Sequence, residues 1–495
     1  MTEPTLIPDL LRQRALSEPD RTAILVAGGA GMTYREWDRR SNAIARGLLA
    51  RRVARGEVVA LFFDNADWLD FAAAYFGVLK AGAVAVPLSG RFTGPHLASV
   101  LERCAAVGLV HGGGHPPDGE TWHATAAEVA AGQSTEPIQL PATTQDLAEI
   151  LYTSGTTGQP KGVACRHANV VSPLVDPGDW PPVWWRECAG GVYLHANAIS
   201  TAGGQLRLFE PLGPSRMTTV ALPTFDPELF CRLAVEHAAS VVQLVPSMAN
   251  SILDSGAYRR HDLSPVRVVS LGCAPLPPTV VPRLAAAFPR ARLVNMYELS
   301  EARYAGTSMV YGERFDSLGL PRGRTQLRLV DPQGAPVPAG SVGEVTVRWP
   351  GVPSQHYFRD AAATAEVFRD GWTRTGDAGY LDAEGRLHLV DRIKDIVIKG
   401  GVNISTLEVE NVLRQHRDVT DCTVFGVADP VHGEDVAAAV VLRRPVPDRT
   451  LRAYLNARLA PHQVPQRFLT LPELPRNPSG KVLKTQLRDR FTAAG

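Results

Sequence analysis

Between Ile150 and Val163 the chain reads Ile-Leu-Tyr-Thr-Ser-Gly-Thr-Thr-Gly-Gln-Pro-Lys-Gly-Val. The ten residues from Thr153 to Gly162 hold four hydroxyls (Thr153, Ser154, Thr156, Thr157), three glycines (Gly155, Gly158, Gly162) and one lysine, Lys161. Glycines let the backbone turn several N–H groups toward one anion, and hydroxyls and an ammonium add donors around it. Phosphate binding is the chemistry this composition suits. It is not a Walker A loop, because Lys161 follows Pro160 and no Gly-Lys-Ser/Thr is present. A polar surface loop between two apolar segments is the plainer reading of the composition alone.

The order of the residues decides between the two. Thr-Ser-Gly-Thr-Thr-Gly-x-Pro-Lys-Gly closely resembles the phosphate-loop signature of adenylate-forming enzymes, the superfamily of acyl-CoA synthetases, nonribosomal-peptide adenylation domains and firefly luciferase. The resemblance continues in order along the chain, from about residue 8 to 485. The family pattern Tyr-Gly-x-Thr-Glu is matched by Tyr297-Glu298-Leu299-Ser300-Glu301. The resemblance implies that Tyr297 stacks on adenine, Ser300 supplies a hydroxyl at phosphate, and Glu301 holds Mg²⁺. A carboxylate suits that role, since a hard cation bridging phosphates takes oxygen ligands. By the same resemblance Gly272, Cys273 and Ala274 lie against adenine, Asp377 of Thr-Gly-Asp accepts the ribose hydroxyls, and Arg392 grips ribose or phosphate. Lys481, in Asn-Pro-Ser-Gly-Lys, matches the family's catalytic lysine, and Lys394 sits at its interdomain hinge. Without that context Lys481 would read as part of a basic tail.

The sequence departs from the family in two places. Glu298 replaces a glycine that lies beside the bound carboxylate substrate. A Glu there either shortens the pocket and favours a small or amine-bearing acid, or points away to solvent or to an arginine such as Arg303. His195 matches a pocket histidine, but Leu194 replaces the aromatic before it; a pocket role and a structural role remain equally open. Gly203, on the following glycine-bearing helix, belongs to the same implied pocket.

Only six of the 51 basic residues are lysine, and five of those six (Lys161, Lys394, Lys399, Lys481, Lys484) fall in the three segments just named. A compact ammonium on a flexible stem does work that a forked guanidinium does not. Lys80 is the exception.

The elements that must position these residues are legible from pattern. VVALFFD (58–64), ADWLDFAAAYFGVLKAG (66–82) and AVAVPL (83–88) read as strand, helix, strand, the unit of a parallel doubly wound sheet. The Gly/Pro-rich patch at 112–119 reads as a surface loop, and residues 224–255 as helix, strand, helix, with Asp226 capping a helix that starts at Pro227. Trp180, Trp184 and Trp185 lie among prolines, in either a substrate lid or an irregular packed loop. Residues 317–349 alternate as strands around an Asp-Pro-x-Gly turn, which suggests a small β-barrel. The expected fold is therefore α/β. The resemblance implies that residues 1–393 form a large N-terminal adenylation domain of two doubly wound subdomains plus that barrel, and 394–495 a small mobile α+β domain.

At 495 residues the chain is too long for one core, and its 45% hydrophobic and 20% charged content is that of a soluble globular protein. A net charge of +1 gives no reason to expect a nucleic acid or an anionic membrane partner. Residues 69–88 reach membrane-span length, but Asp70, Lys80 and a glycine break favour a buried helix and strand. The N-terminus has no basic stretch before an apolar one, and six scattered cysteines fit reduced thiols in a cytoplasmic enzyme.

The resemblance implies ATP-dependent conversion of a small-molecule acid to an acyl-adenylate. Transfer follows to a thiol, either CoA or the phosphopantetheine of a carrier protein, with Mg²⁺ as cofactor. Alternatives within the chemistry are an amine acceptor or an inorganic acid. Outside it stand a catalytically silent nucleotide-binding homologue and an oxygenase like luciferase, for which no residue here speaks.

Overall fold

The computed structural model describes residues 5–90, 92, 94–113, 121–138, 142–153, 160–176, 178, 181–272, 276, 280–312, 317–476 and 482–493. Among them the strands form four sheets. In the first, of seven strands, Val58–Phe63 is buried along its whole length and pairs in parallel with Val84–Ser89 and Ala106–His111. Burial on both faces explains its unbroken apolar run. The helix Trp68–Lys80 between the first two is buried on nearly all sides, including the stretch long enough to suggest a membrane span. A Cβ on its Gly77 would come within 2.7 Å of two Ile44 atoms, so the glycine lets the neighbouring helix Tyr34–Ala50 approach. Among the described residues no helix is long and apolar enough to cross a membrane.

One side of this sheet is an antiparallel hairpin, Leu147–Thr153 with Lys161–Arg166. Its outer edge is completed by His356–Tyr357, which pairs with Val163 and Ala164 from almost 200 residues downstream.

The second sheet has nine strands. Thr22–Val26, Thr218–Ala221, Val192–His195, Val241–Leu244, Val268–Leu271 and Arg292–Tyr297 run parallel in that spatial sequence, with antiparallel strands at both edges. The helix–strand–helix expected over 224–255 is present as Pro227–Glu236, Val241–Leu244 and Pro246–Ser255. Asp226 caps the first helix, accepting from the Leu229 N–H at 2.7 Å. Of the three tryptophans, Trp184 and Trp185 lie on a short helix, Val183–Arg186, rather than in an irregular loop, and Trp185 is buried against Tyr193 and Met217; Trp180 lies outside the described residues.

The strands expected as a small barrel are laid out as a five-stranded antiparallel sheet, Gln326–Val330, Gly343–Arg348, Trp372–Leu381 and Phe368–Arg369, with Leu387–Arg392 also on Trp372–Leu381. The chain then passes through a single turn, Ile393–Asp395, into a fourth sheet. That sheet is built on the long hairpin Val419–Asp429 and Gly433–Leu442, and the helices Thr406–Leu413 and Asp448–Asn456 contribute to the same core. Asp391, just before the turn, accepts from the N–H groups of Thr406 and Leu407 and from the Thr406 hydroxyl, and so holds the start of the first of these helices. The large N-terminal part and small C-terminal part are those expected.

Candidate active site

In open parallel sheets the ligand crevice lies at the carboxyl ends of the strands. Thr153, His195, Gly272 and Tyr297 all sit at such ends or directly after them. The phosphate-loop candidates are closed off by the hairpin pairing of Thr153 with Lys161. Ser154, Gly155, Thr156, Thr157 and Gly158, the Thr153 side chain, Cys273, Ala274 and Lys481 lie outside the described residues.

Lys161 and Glu301 come together at one tyrosine. The Lys161 ammonium stands 5.0 Å from the ring centroid of Tyr357, and the Tyr357 hydroxyl donates to Glu301 Oε1 at 3.1 Å. Cation–π attraction and a charge-assisted hydrogen bond thus fix a cation and a carboxylate on one aromatic side chain. Burial, and then the Glu301 charge, push the Tyr357 phenol well above its ordinary range, so it stays a donor. Next door, Gln355 is buried and clamps the turn Ser300–Ala302. Its Oε1 accepts from the Arg303 N–H at 2.9 Å, and its Nε2 donates to the Ser300 carbonyl at 3.0 Å.

A second group surrounds Asp377. Its Oδ1 is 2.9 Å from Arg392 Nε, directly across the strand pair, and its Oδ2 accepts from the Tyr297 hydroxyl. Three residues implied for nucleotide recognition are therefore joined through Asp377. Thr373, on the same strand as Asp377, donates from its hydroxyl to the Glu301 carbonyl at 3.4 Å, which sets this group's strand against the turn that carries Glu301. Gly272 follows its strand, and among the described residues a Cβ there would meet only the Met296 carbonyl, at 3.7 Å.

The pocket candidates divide. Gly203 abuts Asn197, where a Cβ would come 2.9 Å from Nδ2, the end of a side chain that can shift. His195 is fully buried, its Nδ1 accepting from the Asn197 N–H at 3.1 Å and its ring edge-on to Trp68. Burial drives its pKa well below the ordinary value and leaves it neutral. Glu298 stands at the end of its strand but is ion-paired with buried Arg322. This is the arginine-paired alternative, with the partner corrected: Arg303 turns inward to a buried ion pair with Glu149, on the strand leading into the phosphate loop. Lys394 lies in the turn between the third and fourth sheets. Lys80, the lysine outside the motifs, is buried on Asp38, Ser41 and Asn42 and is structural.

Sequence reasoning missed Tyr357, Gln355, Arg303 with Glu149, and Arg322. A short β-prone run, Gln355-His356-Tyr357-Phe358, after a Gly/Pro-rich stretch was the available signal for the first two.

Residues 11–357 match the AMP-binding enzyme family, and residues 408–481 its C-terminal domain. The chain belongs to the AMP-binding enzyme family. It is 35% identical to a feruloyl-CoA synthase from an Amycolatopsis species over 97% of this chain and 98% of that protein. A fatty acid–[acyl-carrier-protein] ligase of Streptomyces coeruleorubidus is 31% identical, covering 96% and 95%. Among solved structures, the o-succinylbenzoate CoA synthetase of Bacillus subtilis in complex with its acyl-adenylate intermediate superposes with a TM-score of 0.87. It is 27% identical and covers 98% of this chain and 99% of that one. The family member described here is an acid–thiol ligase of the adenylate-forming superfamily.

Proposed function

We propose that this AMP-binding enzyme joins a small-molecule carboxylic acid to ATP, releasing pyrophosphate, and passes the acyl group to the thiol of CoA. The observation that carries the reading is the meeting of Lys161 and Glu301 at Tyr357, beside the Asp377–Arg392–Tyr297 group, from segments spread over more than 200 residues.

A carboxylate is a poor electrophile because its leaving group would be oxide. Attack by its oxygen on the α-phosphorus of ATP breaks the bond to pyrophosphate and turns that oxide into part of AMP. The thiolate then attacks the acyl carbon and AMP leaves. Positioning and charge neutralisation do most of the work in such transfers. Lys161 and the loop before it would hold the β- and γ-phosphates. Asp377 accepts hydrogen bonds at both oxygens from Tyr297 and Arg392 here, a geometry in which ribose hydroxyls would replace or share the tyrosine donor. Glu301 fits Mg²⁺: one oxygen is held by Tyr357, and its other oxygen offers a hard ligand. When bound, the ion offsets phosphate charge. Lys481 would reach the acid and the α-phosphate where negative charge builds.

We assign residues 1–393 to the adenylation domain and 394–495 to a mobile domain turning about Lys394. Support comes from the change of sheet across Ile393–Asp395. Rotation would withdraw Lys481 and admit the thiol between the two half-reactions. ATP dependence and reduced, buried cysteines go with a cytoplasmic location. Because Arg322 offsets the Glu298 charge, an amine on the substrate loses its main support, and a small or polar acid is the better reading.

Pyrophosphate release across a panel of acids tests the reading, with CoA, a phosphopantetheinylated carrier protein or a free amine as acceptor. ATP- and acid-dependent pyrophosphate with a thioester of CoA is expected. Turnover only with carrier protein or amine would replace the acceptor, and no pyrophosphate with any acid would overturn adenylation.

A further inference from the structure

The floor on which an acyl group would lie is the carboxyl end of the parallel strands of the nine-stranded sheet. The register there is regular: Tyr193 pairs with Val241, Leu194 with Val242, and Gln243 with Ser270. Side chains alternate along a strand, and paired residues of neighbouring strands share a face. Tyr193, His195, Gln243 and Ser270 therefore point to the same side of the sheet.

Gln243 is held in one orientation. Its Oε1 accepts from the Tyr193 hydroxyl at 3.3 Å and from Asn197 Nδ2 at 3.2 Å. Both donors are themselves anchored. Tyr193 is fully buried with the Arg207 guanidinium 4.2 Å over its ring, and Asn197 is tied by its N–H to His195. With both lone pairs of Oε1 engaged, the amide plane is set and the two Nε2 donors face the other way. They have no partner among the described residues. Gln243 is half-buried and its Nε2 is not among the fully buried unpartnered atoms, so this NH₂ borders space a ligand can enter. The pocket glycine, Gly203, abuts the same Asn197.

We propose that Gln243 is a specificity-determining residue that donates from Nε2 to an oxygen acceptor on the acyl group. The acid accordingly carries an ether, keto or hydroxyl oxygen along its length. The inference rests on the adenylation reading above and goes further by naming the substrate class. A hydrocarbon laid against the NH₂ strips its water and returns no hydrogen bond, whereas an acceptor oxygen restores one.

The test uses pairs of acids matched in length and shape, each pair differing by an ether oxygen against a methylene. A methoxyphenyl acid with its ethylphenyl counterpart is one such pair, and methoxyalkyl acids with their alkyl counterparts are others. Pyrophosphate release is measured with the full-length enzyme and with Gln243→Leu, alongside the KM for ATP and the melting temperature. The native enzyme should favour the ether member of its best pair by at least about tenfold in kcat/KM. Gln243→Leu should lose that preference through the ether acid with ATP KM unchanged, at some cost in melting temperature because the Tyr193 and Asn197 donors lose their acceptor. Should Gln243→Leu not fold, Gln243→Glu keeps the size, removes the donors and is read the same way. Equal kcat/KM within every pair, or a preference that survives the substitution, overturns the inference and leaves adenylation standing. If none of the acids gives pyrophosphate release, adenylation and the inference fall together.

Discussion

Tyr357 does two jobs with separate atoms: its ring faces the Lys161 ammonium and its hydroxyl holds Glu301. Tyr357→Phe keeps the first and removes the second. Hydrogen bonds to charged groups contribute about 1.5–3 kcal/mol. The Mg²⁺ concentration for half-maximal pyrophosphate release should therefore rise by about tenfold, with some fall in melting temperature from the lost bond. An unchanged Mg²⁺ requirement would remove Tyr357 from the site. His167 makes a different, pH-dependent contribution. Burial lowers its pKa from the usual 6.5 to about 4, against a smaller opposing pull from Asp146. Between those values the unfolded chain binds a proton that the folded one excludes, so stability is full above pH 6.5 and lost as pH falls toward 4. From pH 7 to 5 this amounts to about 2 kcal/mol. His167→Gln should show a correspondingly shallower loss of unfolding midpoint over that range. Of these residues the sequence marked Lys161 and Glu301, because chemistry leaves a recognisable residue type in a recognisable order. Tyr357 and His167 act through neighbours distant in sequence, and nothing local to either position announces that.

At the level of elements, the site is a hairpin and a turn tied together by two clasps. One is the segment Gln355–Tyr357, which extends the hairpin's sheet and binds the turn Ser300–Ala302. The other is the buried ion pair of Glu149 with Arg303, joining the strand before the phosphate loop to the residue just past that turn. Removing one member of a buried pair strands the other charge, at a cost of about 3–5 kcal/mol. Arg303→Leu alone should destabilise by that order, and pairing it with Glu149→Leu should recover a good part. Equal losses in the single and double variants, by denaturant unfolding, would show that the pair is not coupled. The strands and helices themselves were readable, since Val58–Phe63 and Trp68–Lys80 carry long apolar runs. A two-residue strand such as His356–Tyr357 is too short for periodicity to mark, and its partner was set by tertiary packing. The partner of Glu298 was misplaced for a similar reason. Arg303 is nearer in sequence, but the backbone turns it inward, and Arg322 reaches Glu298 from the next hairpin.

For the whole molecule, the account depends on two parts that meet over one nucleotide. The change from the third sheet to the fourth occurs within Ile393–Asp395. Asp391, before it, caps a helix after it, and Lys484 and Arg488 near the chain's end approach Asp395 within it. The division into a large and a small part was evident from motif order alone. Which contacts steady the junction was not, because they join residues far apart in sequence. The claim that matters most is that Lys481 serves adenylation and is withdrawn for thioester formation. Lys481→Ala tests it when the two half-reactions are measured apart. Pyrophosphate release from ATP and acid should fall by about a hundredfold or more, while transfer to CoA from a supplied acyl-adenylate continues near the native rate. Pyrophosphate release at the native rate would contradict the account.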